Sequence, residues 1–247
     1  MSLVSIIMPY YKKRHFLKDS IDSILKQTHQ NFEILLIDDE ASEESHNYLK
    51  EIRNYDARIY LIKNEYNIGA GESRNKGINI SKGEFIAFCD CDDLWKDNKL
   101  EFQLNIMKKF DLNFSHTSYE IIDEKKKLLG HRKAEKDSNF NKLINSCDIG
   151  LSTVIVNRKV FNNSEHRFAK IKTKEDYVLW LIIAKHGIKI SGINSILTSW
   201  RKTKSSLSSS TFQKLQDGYR VYRIYLKYSR LKSLFCLIRL SINYILK

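Results

Sequence analysis

"LVSIIMPYYKKRHFLKDSIDSILKQTHQNFEILLIDD", residues 3–39, decides the fold. It opens with "LVSIIM", a short β-rich run that ends at Pro9, the chain's only proline. In "FLKDSIDSILKQ", Leu17, Ile21, Ile24 and Leu25 recur at helical spacing. "FEILLIDD" then repeats the strand and runs into carboxylates. A strand, a helix and a second strand joined by short polar links are the start of a parallel sheet.

The alternation continues outward. "HNYLKEIRNY" reads as a helix, "RIYLIKN" as a third strand, and "GAGESRNKGINIS" as a glycine-opened helix that leads into "EFIAFCDCDDLW", residues 84–95. Helical spacing returns in "KLEFQLNIMKKF" and "EDYVLWLIIAKHG", with strands expected near 112–119, 152–157 and 188–199. The expected fold class is α/β, a mostly parallel sheet flanked by helices with a C-terminal helical appendage. Ligands of such sheets bind beyond the carboxyl ends of the strands. Pro9, Tyr10, Asp38, Asp39, Asp90 and Asp92 all fall there.

At 247 residues the chain can bury a substantial core, and its 42% hydrophobic and 29% charged content is that of a globular protein. Cys89, Cys91, Cys147 and Cys236 are too few for a disulfide scaffold, and no secretory leader pattern opens the sequence. A reducing, cytoplasmic location is expected. No apolar run is long enough to span a bilayer. The net charge of +13 is concentrated at one end: residues 201–247 hold eleven Lys or Arg against the single Asp217, which leaves +3 for residues 1–200. Nucleic acid, a membrane surface or an acidic ligand could each answer such charge.

In an extended chain Asp90 and Asp92 project to one side while Cys89 and Cys91 point to the other. Two carboxylates converging on one point suit Mg²⁺ or Mn²⁺, which completes its shell with water and substrate phosphates. An isolated D-x-D could equally be a polar loop that caps the next helix. Cys89-x-Cys91 lacks a second ligand pair at zinc spacing and reads better as core.

"VSIIMPYY", "FEILLIDD", "NIGAGESRNKGI", "GEFIAFCDCDD" and "KEDYVLWL" together resemble, in order and spacing, the family-2 glycosyltransferases of GT-A fold. The resemblance covers roughly residues 3–200 and is nearest to the small bacterial enzymes of surface-polysaccharide (O-antigen and capsule) assembly. It implies inverting transfer of a sugar from a UDP-sugar donor, with a divalent metal (Mn²⁺ or Mg²⁺) on the diphosphate. It also implies site residues. Pro9 and Tyr10 would shape the nucleotide pocket, Asp39 would accept from uracil, and Asp38 would support the turn. Arg74 and Asn75 would approach the base and the carboxylate cluster. Asp90 would contact ribose or metal-bound water, and Asp92 would bind the metal directly. Asp176 would be the catalytic base, with Glu175 and Trp180 on the acceptor side. Trp200 and Arg201 would start a loop closing over the diphosphate. The chain departs from the family pattern at Lys12 and in the glycine-free turn "DDEASEES".

Several residues keep a plainer reading. Asp38 and Asp39 could end a strand, Asn75 could cap locally, and Arg74 could simply pair with the aspartates. Acidic residues also suit the first turn of a helix through its dipole. Trp180 could be core, and "SWRKTKSSLSSS", with Arg201, Lys202 and Lys204, could be a solvated linker.

Residues 1–204 are expected to form the glycosyltransferase domain, with a nucleotide-sugar half to 110 and an acceptor half from 111. Residues 205–247 are expected to form a basic amphipathic tail. In "GYRVYRIYLKYSR", Arg220, Arg223, Lys227 and Arg230 share one side of a helix, and Leu231, Leu234, Phe235, Ile238, Ile242 and Ile245 recur at helical spacing after it. Either the tail docks on an anionic membrane surface, where a polyprenyl-diphosphate-linked saccharide acceptor is presented, or it packs on the catalytic domain. A sugar-phosphate nucleotidyltransferase is the nearest enzymatic rival. Its glycine-rich, proline-containing signature is missing. A nucleic-acid-binding protein is the non-enzymatic rival, and confinement of the charge to one appendage without a known binding module argues against it, so no nucleic-acid partner is expected.

Overall fold

The computed structural model describes residues 1–146, 148–203 and 211–245. Cys147, Lys204, the serine-rich run to Ser210 with the boundary expected at 204/205, and the side chain of Ile245 lie outside the described residues.

The opening stretch folds as strand β1 (Val4–Tyr10), helix α1 (Arg14–Leu25) and strand β2 (Phe32–Asp38). Helix α2 (Glu43–Arg53), β3 (Ile59–Lys63), α3 (Ala70–Ile80) and β4 (Phe85–Phe88) complete the first half. In the second half come β5 (Leu94–Trp95), α4 (Lys99–Lys109), β6 (Phe114–Ile122), β7 (Leu128–Arg132), β8 (Asp137–Ser138) and α5 (Phe140–Leu143). They are followed by β9 (Ile155–Asn157), α6 (Glu175–Lys185) and β10 (Ile190–Arg201). One mixed sheet runs β3-β2-β1-β4-β9-β6-β10-β5, with β7 beside β6 and β8 beside β10. Its first four strands are parallel, while β9 runs antiparallel to both β4 and β6.

Pro9 sits in the middle of this sheet without a lost ladder bond. Ile7 O accepts Cys89 N–H at 3.2 Å, so alternate residues of β1 face β4, and β4 has left the ladder before Pro9. The two faces follow the strand period. Ile6, Met8, Ile34 and Leu36 pack under α1, α2 and α4, whereas Ile7, Leu35 and Ile37 pack under α3 and α6. Helix α3 approaches closely because Gly77 has no side chain: a Cβ there would lie 2.6 Å from Ile7 Cγ2.

The C-terminal segment forms α7 (Thr211–Arg220), a π-turn (Val221–Tyr225) and α8 (Arg230–Ile245). It packs on the sheet's second half. Val221, Tyr222, Leu226, Cys236 and Leu240 join the same buried cluster as α6. The tail's only acid, Asp217, is buried, and one of its oxygens accepts Thr173 N–H and Thr173 Oγ1–H, each at 3.0 Å. Tyr222 Oη–H donates to Ile144 O at 2.8 Å. The packed arrangement of the tail is therefore the observed one. Its outer face stays apolar all the same, with Phe212 78%, Leu231 83% and Phe235 64% exposed. Among the described residues no helix is long and apolar enough to cross a membrane.

Candidate active site

The carboxyl ends of β1, β2 and β4 meet the N-terminal turns of α3 and α6. Asp38 holds the turn after β2: its Oδ1 accepts Ala41 N–H at 3.2 Å and Ser45 Oγ–H at 2.9 Å. Asp39 holds the loop before α3. Its oxygens accept the N–H groups of Ile68 (2.9 Å) and Gly69 (3.1 Å) and the amides of Asn64 (3.0 Å) and Asn67 (3.2 Å). Gly69 takes φ +88°, a region that suits glycine. A carboxylate offers about four lone-pair sites, so Asp39 is occupied by its own loop and does not present a free acceptor to a base.

Tyr10 points into the core beside Tyr48, with ring centroids 6.2 Å apart, and burial raises its phenol pKa. Successive strand residues alternate, so Tyr11 is the ring that faces outward at the strand end. Asn75 does not reach the carboxylates. Its amide exchanges two hydrogen bonds with the backbone of Phe168, at 3.0 and 2.8 Å, because its N–H₂ and C=O reach the C=O and N–H of that one residue.

Arg74 is the link between the two halves. It is 5% exposed, and its guanidinium donates to Asp90 Oδ1 and to Glu175 Oε1, each at 2.7 Å. Burial opposes the charge, and the two carboxylates outweigh it, so the Arg74 pKa is raised. Glu175 is thereby engaged in this bridge and is not turned to an acceptor.

The loop after β4 carries three acids. Asp93 is buried. Its oxygens accept Ser152 Oγ–H at 2.5 Å and Arg201 N–H at 2.9 Å. Ser152 also accepts Asp90 N–H at 3.0 Å, a clamp with no signal in the sequence. Asp92 Oδ2 pairs with Lys13 Nζ at 2.8 Å. Burial first, then the charge of Asp90, raises the Asp92 carboxyl, and burial with Asp92 and Asp90 raises Asp93 well above its ordinary value. Arg201 is also buried. Its Nε–H donates to Asp92 O at 2.7 Å and its guanidinium lies over the Phe16 ring at 4.8 Å, so it braces the loop from behind and does not open toward a diphosphate.

Among the described residues no three His, Cys, Asp or Glu side chains gather around a point that could hold an ion. The acids nonetheless fit one. Two neighbouring carboxylates, Asp90 and Asp92, offer hard oxygen donors whose mutual repulsion a divalent cation would relieve, and Mg²⁺-type sites often use only one or two protein carboxylates. Cys89 and Cys91 are buried on the other side of the strand, in the core.

Asp176 opens α6. Its Oδ1 accepts Tyr177 N–H at 2.7 Å. Burial first, then the neighbouring Glu175 charge, pushes its carboxyl up to about 7, against the opposing pull of Arg74. A carboxylate poised near neutrality, one residue from the Arg74 bridge, can accept a proton in a transfer reaction. Trp180 is core. Its indole packs edge-on against Phe114 at 4.9 Å and against Phe168 at 6.0 Å, and α6 needs that apolar face to cover the sheet.

The sequence profile of the glycosyl transferase family 2 matches residues 5–165. The chain belongs to that family. A relative from Escherichia coli, UDP-Glc:alpha-D-GlcNAc-diphosphoundecaprenol beta-1,3-glucosyltransferase WfgD, is 41% identical over 221 residues, 89% of this chain and 85% of the relative. Among solved structures, residues 1–349 of Staphylococcus aureus TarS bound to UDP-GlcNAc superpose with a TM-score of 0.75 at 19% identity, over 96% of this chain and 71% of that TarS chain. The mannosyltransferase PcManGT from Pyrobaculum calidifontis, bound to GDP-Man and Mn²⁺, superposes with a TM-score of 0.70 at 11% identity, over 97% of this chain and 73% of PcManGT. This family-2 glycosyltransferase thus has the GT-A fold expected from its motifs.

Proposed function

We propose that the enzyme transfers a sugar with inversion from a UDP-sugar to a hydroxyl of a polyprenyl-diphosphate-linked saccharide acceptor during surface-polysaccharide assembly. One observation carries the reading: Asp176, with its carboxyl raised to about 7, stands next to Glu175, which Arg74 ties to the Asp90–Asp93 loop. An inverting transfer is a single in-line displacement in which the acceptor hydroxyl attacks the anomeric carbon as the nucleoside diphosphate leaves. Asp176 accepts the hydroxyl proton. Asp92 and Asp90 would hold a divalent ion, Mn²⁺ or Mg²⁺, which when bound supplies charge neutralisation for the departing diphosphate. Arg74 holds Asp90 and the α6 turn in one register, so that base and leaving-group sites stay a fixed distance apart.

The name of WfgD supports the choice of substrates, since that relative joins glucose from UDP-Glc to a GlcNAc-diphosphoundecaprenol. With a lipid-linked acceptor, the enzyme would work as a peripheral protein on the cytoplasmic face of the membrane. The C-terminal helices offer a surface for it, with Phe212, Leu231 and Phe235 exposed beside Arg223, Lys227 and Arg230. The test is release of UDP from UDP-glucose on addition of a synthetic GlcNAc-diphosphoprenol with Mn²⁺ or Mg²⁺ present. Acceptor-dependent UDP release with a β-linked product supports the reading. No release across a panel of UDP-sugars and lipid-linked acceptors overturns it.

A further inference from the structure

Lys13 occupies a position that the chemistry above leaves unexplained. Its Nζ donates to Asp92 Oδ2 at 2.8 Å and to Thr203 Oγ1 at 2.7 Å, and its side chain is 14% exposed. Thr203 is buried just beyond β10, so one ammonium joins the first loop of the chain, the acidic loop after β4 and the end of the last strand. The turn that delivers it is costly: Lys12 takes φ +51°, and its N–H is held by Glu40 Oε2 at 3.0 Å. A non-glycine residue in that region is uncommon and costs about 1 kcal/mol. The backbone is thus bent to place Lys13 on the oxygen that a divalent ion would take.

A lysine ammonium is a compact point charge on a flexible stem with rotatable donors. A divalent ion on Asp92 and the Lys13 ammonium compete for Oδ2, so arrival of one displaces the other. The displaced ammonium stays tethered to the loop after β1, beside Asp92, where it could meet the diphosphate of a bound nucleotide-sugar. We propose that Lys13 is a resident counter-ion that cedes Asp92 to the metal and then pairs with the donor's diphosphate, a second cation for the leaving group. This rests on the reading of Asp92 as metal ligand and of the donor as a UDP-sugar.

The two halves of the exchange give changes of opposite sign. In the full chain, Lys13→Met keeps most of the side-chain length and removes the charge, and with it the ammonium 5.9 Å from the Phe16 ring centroid. Titration with Mn²⁺ alone, followed by the electron paramagnetic resonance of the free ion, should show binding ~2–5-fold tighter in Lys13→Met, because the internal competitor is gone. Calorimetric titration with UDP at saturating Mn²⁺ should show binding ~10-fold weaker, because a charge-assisted contact is lost. Lys13→Arg retains the charge and should bind Mn²⁺ no tighter than the natural chain. Mn²⁺ affinity that is unchanged or weaker in Lys13→Met, or UDP affinity that is unchanged, overturns the proposal for Lys13. A natural chain that binds neither Mn²⁺ nor UDP overturns the underlying reading of the site as well, so the two failures are distinct.

Discussion

Replacing Asp176 by Asn tests the base directly. Asn can still accept Tyr177 N–H through its carbonyl oxygen, so the first turn of α6 keeps its hydrogen bond. What it loses is a proton acceptor. A positioned base contributes about 10²–10⁴ in rate, which corresponds to about 2.7–5.4 kcal/mol of barrier. Turnover should fall by that factor while UDP and metal affinities stay within about two-fold, since neither ligand touches the proton. The pH dependence sharpens the test. The reaction needs Asp176 ionised, and its carboxyl is raised to about 7. The natural enzyme should therefore gain about ten-fold in kcat/KM per pH unit below that value and level off above it, and the variant should lose this limb. Stability should move the other way. A carboxyl raised on folding makes the folded chain bind the proton more tightly, so its stabilising effect is present at low pH and is lost as pH rises through about 7. Asn removes the buried charge, so Asp176→Asn should melt higher than the natural chain at pH 8, by a ceiling of about 4 kcal/mol, and the advantage should shrink toward pH 5. UDP-release kinetics from pH 5.5 to 9 and thermal melts at pH 5 and 8 measure both. Activity within a few-fold of the natural enzyme, with the acidic limb intact, would refute Asp176 as base and direct attention to another acceptor.

Asp92→Asn should abolish metal-dependent UDP binding in calorimetry and reduce turnover to background while the melting temperature holds, because it removes an anionic ligand that already repels Asp90. Trp180→Ala should cost about 3–5 kcal/mol in urea denaturation with little change in acceptor KM, as befits a ring packed among Phe88, Phe114 and Phe168. The full chain should float with anionic vesicles at low salt and be released at high salt, given about 1 kcal/mol for each basic residue near the surface. Changing Phe212, Leu231 and Phe235 together to Ser should weaken that flotation without unfolding, since all three are exposed; flotation indifferent to both salt and these changes would remove the membrane surface as partner.

The helices and strands of the first half were legible because each stands alone. Period-two alternation and helical spacing are local properties, and β1, α1 and β2 follow them within a few residues. The ends of strands were legible too, and with them the acids at Asp38, Asp90 and Asp92. What a linear reading lacks is the direction in which a strand-end residue turns and the partner waiting there. The family resemblance points Asp39 at a nucleobase, yet four donors from residues 64–69 surround it. The resemblance puts Arg201 in a closing loop, yet it points back onto Asp92 O and Phe16. Ser152 and Lys13 went unseen for the same reason, since their partners lie 59 and 79 residues away along the chain.

The tail shows how two readings can both arise from one pattern. The tail carries apolar residues on more than one side, so one side packs on the core and another stays uncovered. Tyr222 and Leu240 fill the first, and Phe235 and Leu231 stand on the second. Periodicity alone could not divide them, because a residue meant for a protein core and one meant for a lipid surface have the same hydropathy. Asp217 is the residue that decides which face turns inward. The one acid among eleven basic residues is buried and bonded to Thr173, at the segment that leads into α6. A buried carboxylate left without donors would cost several kcal/mol; Gln213 and Arg220 serve Asp217 from within α7, and its two bonds to Thr173 tie the tail to the segment that leads into the helix carrying Asp176.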